Sequence, residues 1–264
     1  MNYISSMNLR ISILSLILLL TFVSCAWSQE KESQSTSAIN TRPGFSSADK
    51  FKNLLFADQS LEEFAADFKI KAAPAKDDFS HYFALALDNA RKGKTDEARK
   101  NLKYVLDIPN VETRVQLWAW RALRQFGEKP AAKDGSEVRG VVIEVPIAYG
   151  YDTLAVYRDE SLRYINYTGK IAVWDAPDDR FSPLIKNILE SSQSFINKTP
   201  VSPSRKVVQP GFVLVSILTL NGIYQVEAEY KQITVKHSFI PFIENGGRII
   251  IGLAELLNKE NNIE

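Results

Sequence analysis

The hydrophobic pattern of this 264-residue chain changes its period near Ser136. Before that point apolar side chains recur three and four positions apart, which is typical of amphipathic helices. After it come short runs rich in Val, Ile and Tyr that are bounded by turn residues, which is typical of strands. We therefore expect an α+β protein, with N-terminal helical hairpins followed by an antiparallel sheet that carries two helices.

An apolar run near the N-terminus indicates export. The run from Ile11 to Ser24 follows Arg10 and is 14 residues long, which suits a signal-peptide core and is short for a membrane span. The segment that ends at Cys25, Phe-Val-Ser-Cys, resembles a bacterial lipobox, in which the Cys is lipidated and becomes the first mature residue. Cleavage after Ser28 would instead release a soluble secreted or periplasmic protein, and an uncleaved anchor is the third alternative.

These features divide the chain into segments of different character. Residues after the signal are rich in Ser, Thr, Gln, Glu and Lys and offer little to bury, so they form a tether. The expected segments are a signal peptide at 1–28, a polar tether at 29–47, a helical domain at 48–128, a linker at 129–137, an α+β domain at 138–258 and a polar tail at 259–264.

The helical segment contains one pattern with a known relative. Ser60 and Glu63 have the spacing of a capping box at a helix start. Further on, a helix with Ala86 leads to Gly93, and a second helix with Ala98 follows. This arrangement resembles a tetratricopeptide (TPR)-type helix hairpin, which implies either a concave peptide-binding surface or a plain packing domain.

The strand-rich segment is predicted to form a meander, a helix, a hairpin and a final helix, in that order. The Asn221-Gly222 pair is a strong hairpin signal. This order resembles profilin-like and longin-like domains, with the helices on one face of the sheet. The expected elements are strands at 138–147, 153–157, 162–167 and 170–174, a helix at 181–197, strands at 212–220 and 223–230, and a helix at 248–258 that Gly246-Gly247 starts or kinks.

The same segment also resembles a family of uncharacterised bacterial proteins. The resemblance rests on four stretches: Gly140-Val-Val-Ile-Glu-Val, Asp152-Thr-Leu-Ala-Val-Tyr, Arg163-Tyr-Ile-Asn-Tyr-Thr-Gly-Lys170 and Ile171-Ala-Val-Trp174. It implies a strand-rich core and no particular activity.

Polar and aromatic residues concentrate in the predicted meander and form the candidate ligand site. Aromatic rings offer flat apolar contacts and polar groups fix orientation, which suits sugar or peptide recognition. Alternatively, the rings are simply good strand formers on a half-buried sheet. The candidates are Asp152, Arg163, Tyr164, Asn166, Tyr167, Lys170 and Trp174.

Composition excludes several chemistries. A net charge of +1 gives no basic face for nucleic acid. The one Cys lies in the signal region, so the folded part has no disulfide and no thiol nucleophile. His81 and His237 fall in different predicted domains, which argues against a multi-histidine metal site. We therefore expect no metal and no cofactor.

Two smaller features have ordinary structural interpretations. The carboxylates Asp175, Asp178 and Asp179 lack the spacing of a calcium loop, so we expect a solvated turn that caps the next helix. His237 adjoins Ser238 without the flanking residues of a nucleophile elbow, so we expect a surface or helix-capping role.

The expected function is a non-enzymatic binding or scaffolding module of a bacterial envelope, held at the membrane by a lipid on Cys25. Its expected partner is another envelope protein. The alternatives are a module that binds glycan or peptidoglycan and a hydrolase that acts on envelope material.

The single Cys makes the lipid-anchor hypothesis testable. We expect Cys25→Ser to release the protein from the membrane fraction without changing its folding, because the substitution removes only the acylation site. Membrane fractionation and the apparent mass of the mature protein check this. A variant of normal size that stays membrane-bound would contradict the lipobox interpretation.

Overall fold

The structure is a computed structural model that describes residues 47–67 and 78–261. The expected signal peptide, Cys25, the tether before residue 47 and residues 262–264 of the expected tail lie outside the described residues. In the described ranges, no helix is long and apolar enough to cross a membrane.

Five helices form the N-terminal part of the described chain. Ser60 precedes the second of them; its main-chain N–H donates to Glu63 Oε2 at 2.8 Å, and the Glu63 N–H donates to Ser60 Oγ at 3.2 Å. This reciprocal pair confirms the predicted capping box. The helices are α1 (Ser47–Leu54), α2 (Leu61–Asp67), α3 (Phe79–Arg91), α4 (Thr95–Leu106) and α5 (Thr113–Gln125).

Helices α3 and α4 pack side by side across a tight turn. Gly93 has a φ of 72° in that turn, a left-handed conformation that glycine adopts readily. Ala86 on α3 and Ala98 on α4 are fully buried, and their small side chains let the two helices lie close together. Helix α5 packs on α4 and completes the layer.

A six-stranded antiparallel sheet follows; numbered along the chain, its strands lie side by side in the order 4-3-2-1-5-6. A short helix, α6 (Ala132–Gly135), lies in the expected linker. The predicted combination of helices with an antiparallel sheet is confirmed. The elements are β1 (Gly140–Ile147), β2 (Gly150–Tyr157), β3 (Leu162–Ile165), β4 (Ile171–Trp174), α7 (Ser182–Ile196), β5 (Phe212–Thr219), β6 (Gly222–Glu229) and α8 (Ile240–Asn261).

The predicted hairpin at Asn221-Gly222 is confirmed, with a shift of one residue. Thr219 pairs with Gly222, so Leu220 and Asn221 form the turn and the glycine begins β6 with a φ of 140°. The Asn221 N–H donates to Gly135 O at 3.0 Å, which attaches this turn to α6.

The final helix is longer than the sequence predicts. Helix α8 begins at Ile240, passes through Gly246 and Gly247, and continues to Asn261, so the glycines neither start it nor bound it. Gly246 lies against the sheet: a Cβ there would be 3.4 Å from Leu154 Cδ2. Burial of the apolar face of α8 stabilises the helix by more than Gly246 and Gly247 destabilise it, since each glycine costs about 1 kcal/mol in helix propensity.

Helices cover both faces of the sheet, whereas the sequence predicts helices on one face. Because strand side chains alternate, Val141 and Ile143 of β1 pack toward α7 and α8. Val142 between them packs toward the N-terminal helices, together with Ala155 and Tyr157 of β2. An unbroken apolar run such as this one is typical of a strand that is buried on both sides.

Polar contacts fix the N-terminal helices to the sheet. The buried Tyr157 hydroxyl donates to Leu55 O at 2.7 Å, and burial raises the pKa of this phenol. Lys52 Nζ of α1 lies 2.5 Å from a carboxylate oxygen of Glu144, which is 3% exposed on β1. These contacts join the first helix to the centre of the sheet.

Two glycines of α8 predict opposite effects of the same substitution. Gly246→Ala places its Cβ at ordinary contact distance from Leu154, so we expect stabilisation by about 0.5–1 kcal/mol from helix propensity. Gly252→Ala places its Cβ 2.8 Å from Cε1 of the buried Phe181 ring, so we expect destabilisation by about 1–3 kcal/mol. Urea unfolding of both variants measures this; destabilisation of equal size by both would contradict the packing of α8.

Candidate functional site

An exposed aromatic surface lies at one end of the sheet. The β1–β2 and β3–β4 turns share this end because the four strands form an antiparallel meander. Tyr149 in the first turn is 85% exposed. Its ring centroid lies 6.3 Å from that of Tyr167 in the second turn, with the ring planes tilted by 35°. We call Tyr149 and Tyr167 the tyrosine pair.

Asp152 supports this surface from below. It is 3% exposed on β2. Its carboxylate accepts hydrogen bonds from the Tyr164 hydroxyl at 2.8 Å and from the Tyr167 main-chain N–H at 3.0 Å. A buried carboxylate requires such donors, and these two fix the position of the β3–β4 turn relative to the β1–β2 hairpin.

Asn166 organises the β3–β4 turn internally. Its Oδ1 accepts from the Thr168 N–H at 3.1 Å, the Thr168 hydroxyl at 2.8 Å and the Lys170 N–H at 2.8 Å. Gly169 takes a φ of 83° in the same turn. Side-chain acceptors of this kind replace main-chain partners in a turn, so Asn166 holds the backbone that carries Tyr167 and Lys170.

Arg163 and Trp174 occupy different positions from Asp152. Arg163 lies on the sheet face that packs toward the N-terminal helices, because its neighbour Tyr164 packs on the other face. Its guanidinium donates to Leu162 O at 2.8 Å and Trp174 O at 3.1 Å, and it pairs with Asp175. The Trp174 ring meets Phe181 edge-on at 6.0 Å.

The structure thus brings together part of the predicted site. Asp152, Tyr164 and the turn that holds Asn166, Tyr167 and Lys170 form one cluster. The sheet separates the Arg163 side chain from that cluster, and Trp174 belongs to the core beside α7. The seven candidate residues therefore do not line a single pocket.

A narrow apolar cavity lies next to Asp152, between the sheet and α8. It has a volume of about 20 Å³ and is lined by residues that include Val145, Leu154, Gly246 and Gly247. This volume accommodates about one water molecule, so the cavity has no room for an organic substrate.

Other groups with potential chemistry have structural roles. Asp178 Oδ1 accepts from the Arg180 N–H at 2.9 Å, and the hydrogen bonds from the Arg180 side chain lower the pKa of this carboxyl. His237 Nδ1 accepts from the Phe239 N–H at 3.2 Å just before α8, as expected for a capping residue. In residues 47–67 and 78–261, no group of three or more His, Cys, Asp or Glu residues could hold a metal ion.

Sequence reasoning missed two residues. The sequence marks Tyr149 as unusual, because a large aromatic residue occupies a two-residue turn that favours small or polar residues. Glu144 was recognisable as well, since this charged residue directly follows the apolar run Val141–Ile143 of β1. Burial, together with the Glu144 carboxylate, raises the pKa of Tyr151, whose hydroxyl donates to Gln209 O at 2.8 Å.

No protein-family model, no curated protein and no solved structure matches this chain.

The Asp152 contacts predict the effect of removing one hydroxyl. Tyr164→Phe leaves the buried carboxylate without one of its donors, so we expect a loss of about 1–3 kcal/mol in the free energy of unfolding. Tyr167→Phe is the matched control, with an expected change within about 0.5 kcal/mol because this ring is only half-buried. Urea unfolding compares the two, and equal midpoints would show that Asp152 does not depend on Tyr164.

Proposed function

We propose that this protein is a non-enzymatic binding module of a bacterial envelope, and that the tyrosine pair is its contact surface. The observation that carries the proposal is the exposure of Tyr149, whose ring lies beside Tyr167 on a turn that buried hydrogen bonds hold in place. An exposed tyrosine gives large contact area and, with two side-chain torsions, loses little conformational entropy on binding. Another envelope protein is the proposed partner.

The environment of the polar residues supports binding rather than catalysis. Asp152 and Asn166 accept hydrogen bonds from the protein itself, and both are about 3% exposed. A general acid or base must reach the proton that it transfers. The cavity beside Asp152 accommodates only a water-sized group, so Asp152 is a poor candidate for the catalytic residue of an envelope hydrolase.

The α3–α4 pair offers a second surface and supports the TPR-like interpretation. The turn at Gly93 and the buried Ala86 and Ala98 are the features that such a hairpin needs. Tyr104, on the outside of α4, is 42% exposed, and its ring centroid lies 5.5 Å from that of Tyr82. This aromatic surface is the second candidate for protein contact.

The glycan alternative rests on the tyrosine pair as well. Sugar rings stack on exposed aromatic faces, and the half-buried Lys170 lies in the same turn as Tyr167. Peptidoglycan and an envelope protein are therefore alternative partners for the same surface, and a binding experiment with each of them distinguishes the two hypotheses.

Export and membrane attachment complete the proposal. The apolar run before Cys25 and the polar residues after it support a lipid-anchored protein, and cleavage after Ser28 would give a soluble secreted or periplasmic form instead. A polar tether would let the folded part reach partners away from the membrane surface.

Substitution of the exposed tyrosine tests the contact surface. We expect Tyr149→Ala to lower capture of the envelope partner at least about tenfold, because exposed aromatic anchors dominate binding energy. We expect Tyr104→Ala, which tests the second candidate surface on α4, to leave capture unchanged. The measurements are affinity capture from envelope extracts and cosedimentation with purified peptidoglycan, with unfolding curves to verify that both variants fold.

The outcomes separate the candidates. Retention by peptidoglycan alone, lost in Tyr149→Ala, would replace the protein partner with glycan. Loss of capture in Tyr104→Ala alone would move the contact surface to α3–α4. Full capture by both variants would refute the role of the tyrosine pair.

A further inference from the structure

Strand β6 is an edge of the sheet whose second half carries unused main-chain groups. The Ser202 N–H donates to Ile223 O at 2.7 Å, so Ile223 directs its main-chain groups away from β5. Main-chain direction alternates along a strand, so Gln225, Glu227 and Glu229 direct theirs to the same outer side. β6 is the last strand in the sheet order.

The chain itself covers only the first half of this edge. An antiparallel bridge joins Val201 to Tyr224. After this bridge, the segment contacts β6 through a side chain instead of the main chain: the Lys206 N–H donates to Gln225 Oε1 at 2.7 Å. In the described part of the chain, no strand pairs with β6 beyond that bridge. The short bridge shows the geometry that an added antiparallel strand would continue.

A groove of about 660 Å³ runs along the uncovered half. Val226 and Ala228 contribute one side, on the sheet face that packs toward α7 and α8. The half-buried Phe195 forms the apolar wall, and its ring packs edge-on at 5.8 Å against Phe239, a core residue that is 3% exposed. An extended peptide bound here would point every second side chain into this apolar wall.

The other face of the same edge is acidic. Glu227 and Glu229 alternate with Val226 and Ala228, so their side chains lie on the opposite face of the strand. Glu227 is exposed, and Lys206 Nζ lies 3.4 Å from its carboxylate. None of the described residues that line the groove is Lys or Arg; Lys231 and Lys236 lie nearby in the chain without lining it. Lys206 therefore partly neutralises Glu227. Glu229 instead accepts from the neutral Gln232 amide at 2.5 Å, so the end of the strand favours a partner with positive charge on this face.

We propose that the second half of β6 binds an extended peptide segment of a partner protein, added antiparallel to the strand, in which apolar and basic residues alternate. The apolar side chains contact Phe195, Val226 and Ala228, and the basic side chains pair with Glu227 and Glu229. Main-chain hydrogen bonds to the strand edge supply affinity, and the two alternating faces supply specificity. This site is separate from the tyrosine pair.

Glu229 allows a test of the main-chain hydrogen bonds. Its φ is −64°, the value that proline requires, and its N–H points away from β5. Glu229→Pro therefore removes the carboxylate and the outward donor without breaking a hydrogen bond within the sheet. Glu229→Gln removes only the charge, which makes it the matched control.

The probe is an acetylated and amidated six-residue peptide, Lys-Val-Lys-Val-Lys-Val, with a fluorescent label, titrated with the full mature protein. We expect this peptide to bind saturably. We expect the same peptide with Glu in place of each Lys to bind at least about tenfold more weakly. We expect Glu229→Pro to weaken binding further than Glu229→Gln, and Tyr149→Ala to leave it unchanged. Glu227→Lys, at an exposed position, gives a second test if Glu229→Pro does not fold.

Three results would overturn the proposal. Equal binding of the Lys and Glu peptides would remove the charge argument, and equal affinities of Glu229→Pro and Glu229→Gln would remove the strand-edge argument. A concentration-dependent dimer of the wild-type protein that Glu229→Pro abolishes would identify a second copy of this chain as the occupant instead.

Discussion

The structure depends on burying both faces of strands β1 and β5. Neighbouring residues of β1 point to opposite faces, and Val141, Val142 and Ile143 are each at most 1% exposed. Burying one such side chain contributes about 1.5–3 kcal/mol, so leaving either face open would cost several of these contributions at once. The N-terminal helices therefore cannot be a detachable appendage of the sheet. They form one of its two covering layers, and α7 and α8 form the other.

A buried charge strengthens this dependence at one point. Glu144 is 3% exposed on a central strand, and Lys52 of α1 places its ammonium beside the carboxylate. Removing one partner of a buried ion pair is expensive, because the remaining charge stays desolvated. Arg205 adds a contact from the loop before β5, since its guanidinium lies 4.3 Å from the Phe56 ring centroid. Helix α1, the first described element after the expected tether, is thus attached to the middle of the sheet.

Local sequence signals predicted the local structure well. The Ser60–Glu63 capping box and the β5–β6 hairpin each depend on residues close in the chain, and both are confirmed. The site was predicted less well, because the face on which a strand residue lies depends on register. Asp152 and Arg163 lie on adjacent strands, yet Ala155, not Asp152, pairs with Arg163, and the two side chains lie on opposite faces. Spacing in the chain does not reveal that separation. The two-sided cover of the sheet did carry a signal, the unbroken apolar run in β1, but its meaning depends on what else packs there.

An antiparallel sheet covered on both faces leaves its ends and edges for recognition. At one end, the turns expose Tyr149 while Asp152 and Asn166 hold the backbone beneath, so buried polar groups serve as supports for an exposed aromatic surface. The edges differ from each other. Strand β4 has four residues and exposes Ile171 and Val173, whereas β6 has eight and combines outward main-chain groups with an apolar wall and acidic side chains. A longer edge with distinct chemistry on its two faces discriminates between peptides by their alternation, which a short apolar edge does not. Specific recognition along an edge is therefore best placed at β6.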